Sequence, residues 1–192
     1  MKRAAILAAV LTFAPVMLRA ESVHSEKSFQ NGGRVQMHLS GGDYEVRAGS
    51  SDKIVVTASA DDESKKVKAD IIVNDDVAKI RTAGPHSNFH VVIEVPPETH
   101  LYIRLSAGDM RVKGISGNKD IETHAGDLDI DAGDPNSYGQ VDVSVKVGDL
   151  NPGPFDASKG ASRSGFFRSL RQTRKGQLRL HAHVGAGDLN LH

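Results

Sequence analysis

The sequence of 192 residues contains no cysteine and no tryptophan, and aromatic residues make up only 5 % of it. Without cysteine, the chain cannot be a disulfide scaffold or a lipoprotein anchored through an acylated cysteine. Neither sign of charge dominates, because 24 basic and 24 acidic side chains balance. Such a mild charge excludes a general polyion binder, and we therefore expect no nucleic-acid partner. The composition predicts a core of valine, isoleucine and leucine joined by tight glycine turns.

Long hydrophobic runs are absent beyond the first twenty residues. There, a basic pair at positions 2 and 3 precedes an apolar run from Ala4 to Leu18, and Ala20 is a suitable residue before a cleavage site. This pattern predicts a signal peptide over residues 1–20. The mature chain would then be periplasmic or secreted, without a transmembrane span. The alternative is an uncleaved membrane anchor, which is disfavoured because a spanning helix needs ~20 apolar residues.

Residues 21–192 are short enough to form one domain. Within them, Gly-Asp followed by Leu, Met or Tyr occurs five times, and the intervals between the aspartates are 66, 18, 22 and 39 residues. These are close to multiples of about twenty, a period typical of solenoids. The predicted structural corners are Gly42 and Asp43, Gly108 and Asp109, Gly126 and Asp127, Gly148 and Asp149, and Gly187 and Asp188.

The residues on either side of Gly-Asp alternate between apolar and polar. Before Asp149 the apolar series is Val141, Val143, Val145 and Val147, whereas after each Asp the apolar positions are the first and the third. This alternation predicts strands that exchange their buried face at the Gly-Asp corner. The fold class expected is all-β, a single-domain β-solenoid of about eight short rungs. A β-sandwich is the alternative, but its hairpins favour the opposite order, Asp-Gly.

Three segments lie outside this regular pattern. Residues 21–34 are interpreted as a loose leader, and residues 151–177 as a long loop or an irregular rung. Strand 189–191 ends the chain without a visible cap. An uncapped edge is a template for pairing with another chain, so self-association through the solenoid ends is a prediction.

Four stretches resemble the bacterial putative adhesin family, extracytoplasmic domains of unknown function related to the head domains of putative autotransporter adhesins. They are GGRVQMHLSGGDYEVRAGSSDKIVVTASA, FHVVIEVPPETHLYIRLSAGDMRVKGISGNKDIETHAGDLDI, VDVSVKVGDL and RLHAHVGAGDLNL. Together they touch most of residues 29–192. The resemblance implies a β-solenoid outside the cytoplasm. It implies no reaction, because the family offers no catalytic residues to carry over.

The aspartates at the corners have two interpretations. Their carboxylates can accept hydrogen bonds from nearby backbone N–H groups. Alternatively, stacked carboxylates recruit a cation such as Ca²⁺. The first interpretation is favoured, so no cofactor is expected.

Asp127, Asp129 and Asp131 share one outward face, and paired carboxylates on β-helices are found in polysaccharide lyases and hydrolases. The simpler interpretation is charge matching, because the register places Arg111 beside Asp129 and Lys113 beside Asp131. No catalytic residue is therefore predicted. A small carbohydrate-active enzyme is only a third hypothesis.

His181 and His183 alternate with Ala182 and therefore face the same side. Two outward histidines can begin a metal site, although no third ligand is evident in the sequence. His124 precedes Asp127 by three residues, but one such pair is weak evidence. We therefore predict no metal site from the sequence.

The charge distribution is most uneven between Asp156 and Asp188, where no acidic residue occurs. Basic residues interleaved with aromatics are suited to an anionic polymer or a membrane surface. In the alternative, this segment is a solvated loop whose phenylalanines tuck under the stack. The candidate ligand-binding residues are Arg163, Phe166, Phe167, Arg168, Arg171, Arg174 and Lys175.

The leading hypothesis is a non-enzymatic, adhesin-like binding protein outside the cytoplasm. Its partner would be an envelope or surface component, an anionic glycan or lipid. The alternative is a structural module that assembles end to end through its solenoid edges.

Overall fold

The computed structural model describes residues 21–61, 66–85, 88–155 and 158–192. The predicted signal peptide lies outside the described residues. The chain is all-β, as predicted, with seventeen strands in the described residues and one 3₁₀ turn at Pro135–Ser137. Among these residues, none forms a helix long and apolar enough to cross a membrane.

The strands, numbered in chain order, form two open sheets. Sheet 1 contains, in spatial order, β1 (Glu21–Ser28), β4 (Lys53–Ala60), β7 (Phe89–Val95), β3 (Asp43–Ala48), β9 (Met110–Lys113), β11 (Leu128–Ile130), β17 (Leu189–Leu191) and β13 (Leu150–Asn151). Sheet 2 contains β14 (Ala161–Ser164), β15 (Phe167–Thr173), β12 (Tyr138–Val147), β16 (Leu178–Ala186), β10 (Lys119–Ala125), β8 (His100–Ala107), β2 (Arg34–Gly41), β6 (Val77–Ala83) and β5 (Lys68–Asn74).

Each Gly-Asp corner joins a strand of sheet 2 to a strand of sheet 1, and the five resulting units stack in parallel and in register. One buried row of sheet 2 shows this register across five neighbouring strands, with Met37, Ile103, Ile121, Ala182 and Val143 side by side. A sixth parallel unit, β6 with β7, has no Gly-Asp corner. Antiparallel strands complete both ends. The described chain therefore has six parallel units, where about eight rungs were expected.

The spatial order of the units differs from their order in the chain. The last unit, β16 with β17, lies between β10/β11 and β12/β13. The interpretation of residues 189–191 as an uncapped end is therefore wrong, because β17 pairs with a strand on both sides. The interpretation of residues 21–34 as a loose leader is also wrong for its first part, because β1 pairs with β4 along eight residues.

The core lies between the two sheets and has the predicted alternation. Leu128 and Ile130 are fully buried after one corner, and Val141, Val143 and Val145 are fully buried before another. The position two residues before the aspartate is an exception, because the side chain there lies at the rim of the sheet and reaches solvent: Val147 is 50 % exposed.

Glycine is required at the corners for two reasons. All five have positive φ: Gly42 (143°), Gly108 (107°), Gly126 (120°), Gly148 (138°) and Gly187 (132°). Four of them also touch a stacked corner, since a Cβ on Gly126, for example, would overlap the carbonyl oxygen of Gly108. The close approach comes from the backbone ladder, in which the Gly126 N–H donates to the Ala186 carbonyl at 2.8 Å. Positive φ is readily adopted only by glycine, and the close approach leaves no room for a Cβ at Gly108, Gly126, Gly148 or Gly187.

Candidate functional site at the basic edge

The corner aspartates hold neighbouring units together. The Oδ1 atoms of Asp109, Asp127 and Asp188 accept the backbone N–H of the aspartate in the next unit, at 3.0, 2.8 and 2.8 Å. These bonds are consistent with the hydrogen-bond interpretation of the corner aspartates. Because each bond crosses between units, the ladder fixes the register of stacking. This structural role requires no ion.

The acidic face of β11 is matched to its neighbours, although only in part as predicted. Asp129 lies 3.4 Å from Arg111 in the predicted register and also accepts a bond from Asn190 at 3.0 Å. The predicted pair of Lys113 with Asp131 is wrong. Lys113 bonds Glu45 at 2.8 Å, while Asp131 accepts the backbone N–H groups of Gly114 and Gly133.

Most of the basic segment is a β-hairpin at the edge of sheet 2, rather than an irregular loop. β14 pairs with β15, and β15 pairs with β12. Ser164 lies opposite Phe167, which leaves a two-residue turn, Gly165–Phe166, with φ of +59° at the glycine. Glycine at the first central position is typical of a type II′ hairpin turn.

The turn exposes both phenylalanines. Phe166 is 77 % exposed and Phe167 is 39 % exposed. The alternative in which they tuck under the stack is therefore wrong. β12 and β15 pair as far as Val145 and Arg168, and Val147, two residues further along β12, is also exposed. The edge therefore combines an apolar tip with flanking cations.

The hairpin brings the seven predicted residues to one edge, but two of the arginines are already neutralised. Arg168 lies 3.0 Å from Asp149 and also donates to the Gly148 carbonyl. Arg171 lies 3.1 Å from Asp142.

Three cations of the predicted set remain without an ion pair among the described residues. The Arg174 guanidinium lies 5.6 Å from the centre of the Phe155 ring and 3.5 Å from the Asn136 side-chain oxygen. Arg163 and Lys175 have no carboxylate within ion-pair distance in the described chain, and both are exposed. These three are the cations most available to an external anion.

A groove of about 520 Å³ runs along this edge. Its lining contains three cations, Lys159, Arg171 and Arg174, together with Gly160, Gln172 and Thr173, and it contains no carboxylate. Lys159 was not among the predicted site residues. Its position on the groove follows from the hairpin pairing, since the Gly160 carbonyl accepts the Arg171 N–H at 3.0 Å. The groove could accommodate an anionic group between the three cations.

A second groove, of about 670 Å³, crosses the outer face of sheet 2. His38, His124 and His183 line it together with Arg104 and Glu122. His183 is on the outward side, as predicted, and its Nδ1 lies 2.9 Å from the Ser144 hydroxyl. The sequence did not reveal this collection, because its members come from four strands.

Lys119 and Tyr138 form a buried polar pair that no local pattern in the sequence indicates. The Lys119 ammonium donates to the Tyr138 hydroxyl at 2.6 Å, and that hydroxyl donates to the Ala132 carbonyl at 3.1 Å. Burial lowers the pKa of Lys119 to about 8 and raises the pKa of Tyr138 to about 12. Both residues are fully buried, so the pair belongs to the interior rather than to a site.

No family model matches the sequence, and no curated protein matches it. Among solved structures, the fold is similar to that of a putative cell adhesion protein from Clostridium sporogenes, with a TM-score of 0.57 and 12 % identity over 89 % of this chain and 99 % of that chain. The likeness shows a shared fold. It confirms, at the level of fold, the resemblance to the putative adhesin family.

Two further structures were found, both of putative adhesins. The one from Parabacteroides distasonis aligns with a TM-score of 0.26 and 10 % identity over 91 % of this chain and 71 % of that chain. The one from Bacteroides fragilis aligns with a TM-score of 0.26 and 8 % identity over 90 % of this chain and 97 % of that chain.

Proposed function

We propose that this protein is an adhesin-like, non-enzymatic binding protein that acts outside the cytoplasm and binds an anionic envelope or surface component through the β14–β15 hairpin. The observation that carries the proposal is positive charge along this edge that has no ion pair among the described residues. Arg163 lies near the exposed Phe166, and Arg174 and Lys175 follow β15 at its other end. Cations spaced along an edge that ends in an apolar tip favour a polyanionic glycan or an anionic lipid surface.

Two other observations support an adhesin-like role outside the cytoplasm. The sequence of residues 1–20 has the pattern of a signal peptide, and a solved structure of similar fold has been named a putative cell adhesion protein. We also propose that the parallel, in-register units form a short β-solenoid. Such a stack offers rigid outer faces and edges on which binding groups can be placed.

The test is binding to polygalacturonate and to phosphatidylglycerol vesicles over a salt series from 20 to 500 mM. The variant has Lys159, Arg163, Arg174 and Lys175 changed to glutamine. The matched control has four cations at the opposite end of sheet 2, Lys66, Lys68, Lys79 and Arg81, changed to glutamine. We expect salt-sensitive binding that the first variant loses and the control keeps. Equal binding by both variants would refute the assignment of the hairpin.

Polygalacturonate and the phosphatidylglycerol vesicles distinguish a glycan partner from a lipid partner. If Phe166→Ser abolishes vesicle binding and leaves glycan binding unchanged, the apolar tip inserts into lipid. If Phe166→Ser changes neither, the cations alone make the site, and a soluble polyanion is the better partner.

A second candidate function is assembly through the edge of β14. All four residues of this strand are exposed, and it is the last strand of sheet 2. An open edge offers unpaired backbone groups to another chain. Light scattering at increasing protein concentration tests this candidate, and a monomer throughout would exclude it.

A further inference from the structure

The outer face of sheet 2 brings metal-ligating side chains together where β10 and β16 run in parallel. Asp120 lies opposite His181 in register, and Glu122 lies opposite His183. On its other side, His181 lies opposite Asp142 of β12. His181 therefore has carboxylate-bearing neighbours on both flanking strands. The sequence could not show this, because 61 residues separate Asp120 from its partner.

Three of these side chains converge. One ligand atom from each of Asp120, Glu122 and His181 lies within 4.8 Å of the other two, the only such group of three in the described chain. His181 Nε2 lies 3.7 Å from Glu122 Oε1. Ligands of a tetrahedral zinc ion, each about 2.1 Å from the metal, are about 3.4 Å apart. The separation of His181 Nε2 and Glu122 Oε1 is close to that value.

The imidazole of His181 has coordinating capacity that the protein does not use. Its Nε2, the ring nitrogen that faces Glu122, lies 3.7 Å from that carboxylate and has no hydrogen-bond partner among the described residues. By contrast, His183 on the same strand is bonded to Ser144.

Arg104 is the competitor for the two carboxylates. Its guanidinium lies 2.9 Å from Asp120 and 3.2 Å from Glu122. It also lies 3.9 Å from the centre of the Tyr102 ring and donates to the Ile103 carbonyl at 2.8 Å. The arginine thus has other contacts that hold it when a cation occupies the carboxylates.

We propose that Asp120, Glu122 and His181 form a binding site for a divalent transition metal, with Zn²⁺ as the best fit to one imidazole and two carboxylates. Arg104 occupies the carboxylates in the absence of the ion, and the ion displaces it. The site lies on a sheet face rather than at the β14–β15 edge and does not depend on the function proposed above. Solvent would complete the coordination, since three protein ligands leave a position open.

The experiment is calorimetric titration of Zn²⁺ into the full chain purified without a polyhistidine tag. We expect one saturable site per chain, with affinity reduced at least about tenfold in His181→Gln and in Glu122→Gln. His124→Gln is the matched control, because it removes an exposed histidine of the same face from outside the group, and it should leave the affinity unchanged. Arg104→Gln should bind severalfold more tightly, because the competing cation is gone.

Thermal unfolding in EDTA verifies that each variant folds, and in the presence of Zn²⁺ it provides a second readout. A saturating ligand raises the melting temperature of the protein that binds it. We expect that rise in the wild-type protein and not in His181→Gln. The proposal is overturned by any of three results: no saturable binding, an equal loss of affinity in His124→Gln, or weaker binding by Arg104→Gln.

Discussion

The outer faces of the two sheets are built on the same repeated units but carry different chemistry. On sheet 1, Arg47 bonds Glu94 at 2.6 Å and Glu45 at 3.2 Å, and Lys113 completes the network through Glu45. On sheet 2, the corresponding face carries histidines, and the ring of His181 has no hydrogen bond among the described residues. One face is saturated with ion pairs, whereas the other retains unused binding capacity.

The difference shows which positions the fold constrains. Inward side chains and corner glycines must fit the packing between units, because each unit is in direct contact with the next. Outward side chains need only be compatible with solvent. Opposite charges on neighbouring strands meet this requirement and change the stability of the fold little. An outward group without a partner is therefore informative in this protein, because the rest of the surface shows how easily a partner is supplied.

The largest expected effect compares an inward with an outward position of the same strand. Leu128 is fully buried in β11, and its neighbour Asp129 points outward. Leu128→Lys places a charge in the core and should lower the free energy of unfolding by more than about 4 kcal/mol. Asp129→Lys should cost about 1 kcal/mol, since it only sets like charges beside each other. Urea unfolding measures both, and similar values would contradict the assigned faces.

The next largest effect is the difference in stability loss between substitutions at two glycines with positive φ. Gly126→Ala combines backbone strain with overlap of the Gly108 carbonyl, so the loss of stability should be about 3 kcal/mol or more. Gly165 in the hairpin turn has open space around it, and Gly165→Ala should cost only about 1–2 kcal/mol of strain. The same urea titration provides the measurement. Equal costs would mean that close stacking does not add to the requirement for glycine.

The same distinction explains what the sequence could predict. The alternation around Asp127 and the repeated Gly-Asp pairs correctly indicated an all-β chain, the inward residues and the corners, because a period of two and the backbone requirements of glycine are local signals. The insertion of β16/β17 between earlier units could not be predicted, since equivalent units can stack in any order. The hairpin turn at Gly165–Phe166 does have a local signal in the sequence, because glycine at the first central position is typical of a type II′ turn.

The candidate sites were predictable to a smaller extent. The basic segment was visible as a run without acidic residues, but its ion pairs were not, because Asp142 and Asp149 approach Arg171 and Arg168 only after the hairpin docks. Likewise, His181 was recognised as outward, whereas its neighbours Asp120 and Glu122 come from a strand 61 residues earlier.

A third prediction concerns Lys119, a charged residue buried in the core. The pKa of Lys119 is lowered by burial from 10.5 to about 8. The unfolded chain therefore binds one more proton than the folded chain between these values, and stability should rise with pH from about 8 toward 10. Above pH 10 the rise ends, because Tyr138, with its raised pKa of about 12, makes the opposite contribution.

The variant Lys119→Met tests this assignment. It removes the titrating ammonium while keeping a chain of similar volume, so the dependence on pH between 8 and 10, roughly 2–3 kcal/mol, should flatten. Unfolding by urea at pH 7, 8, 9 and 10 measures the slope for both proteins. An unchanged slope in Lys119→Met would assign the pH dependence to another group.

The smallest effect is the energetic contrast between the two outer faces. A double-mutant cycle of Arg111→Ala with Asp129→Ala on sheet 1 should give a coupling of roughly 0.2–1 kcal/mol, reduced by 0.5 M salt. The cycle of Arg104→Ala with Asp120→Ala on sheet 2 should give a larger coupling, since Arg104 is less exposed than Arg111 and its pair lies closer, 2.9 Å apart against 3.4 Å. If the two couplings are equal, Arg104 is an ordinary surface partner. In that case, the contrast between the faces depends on His181 alone.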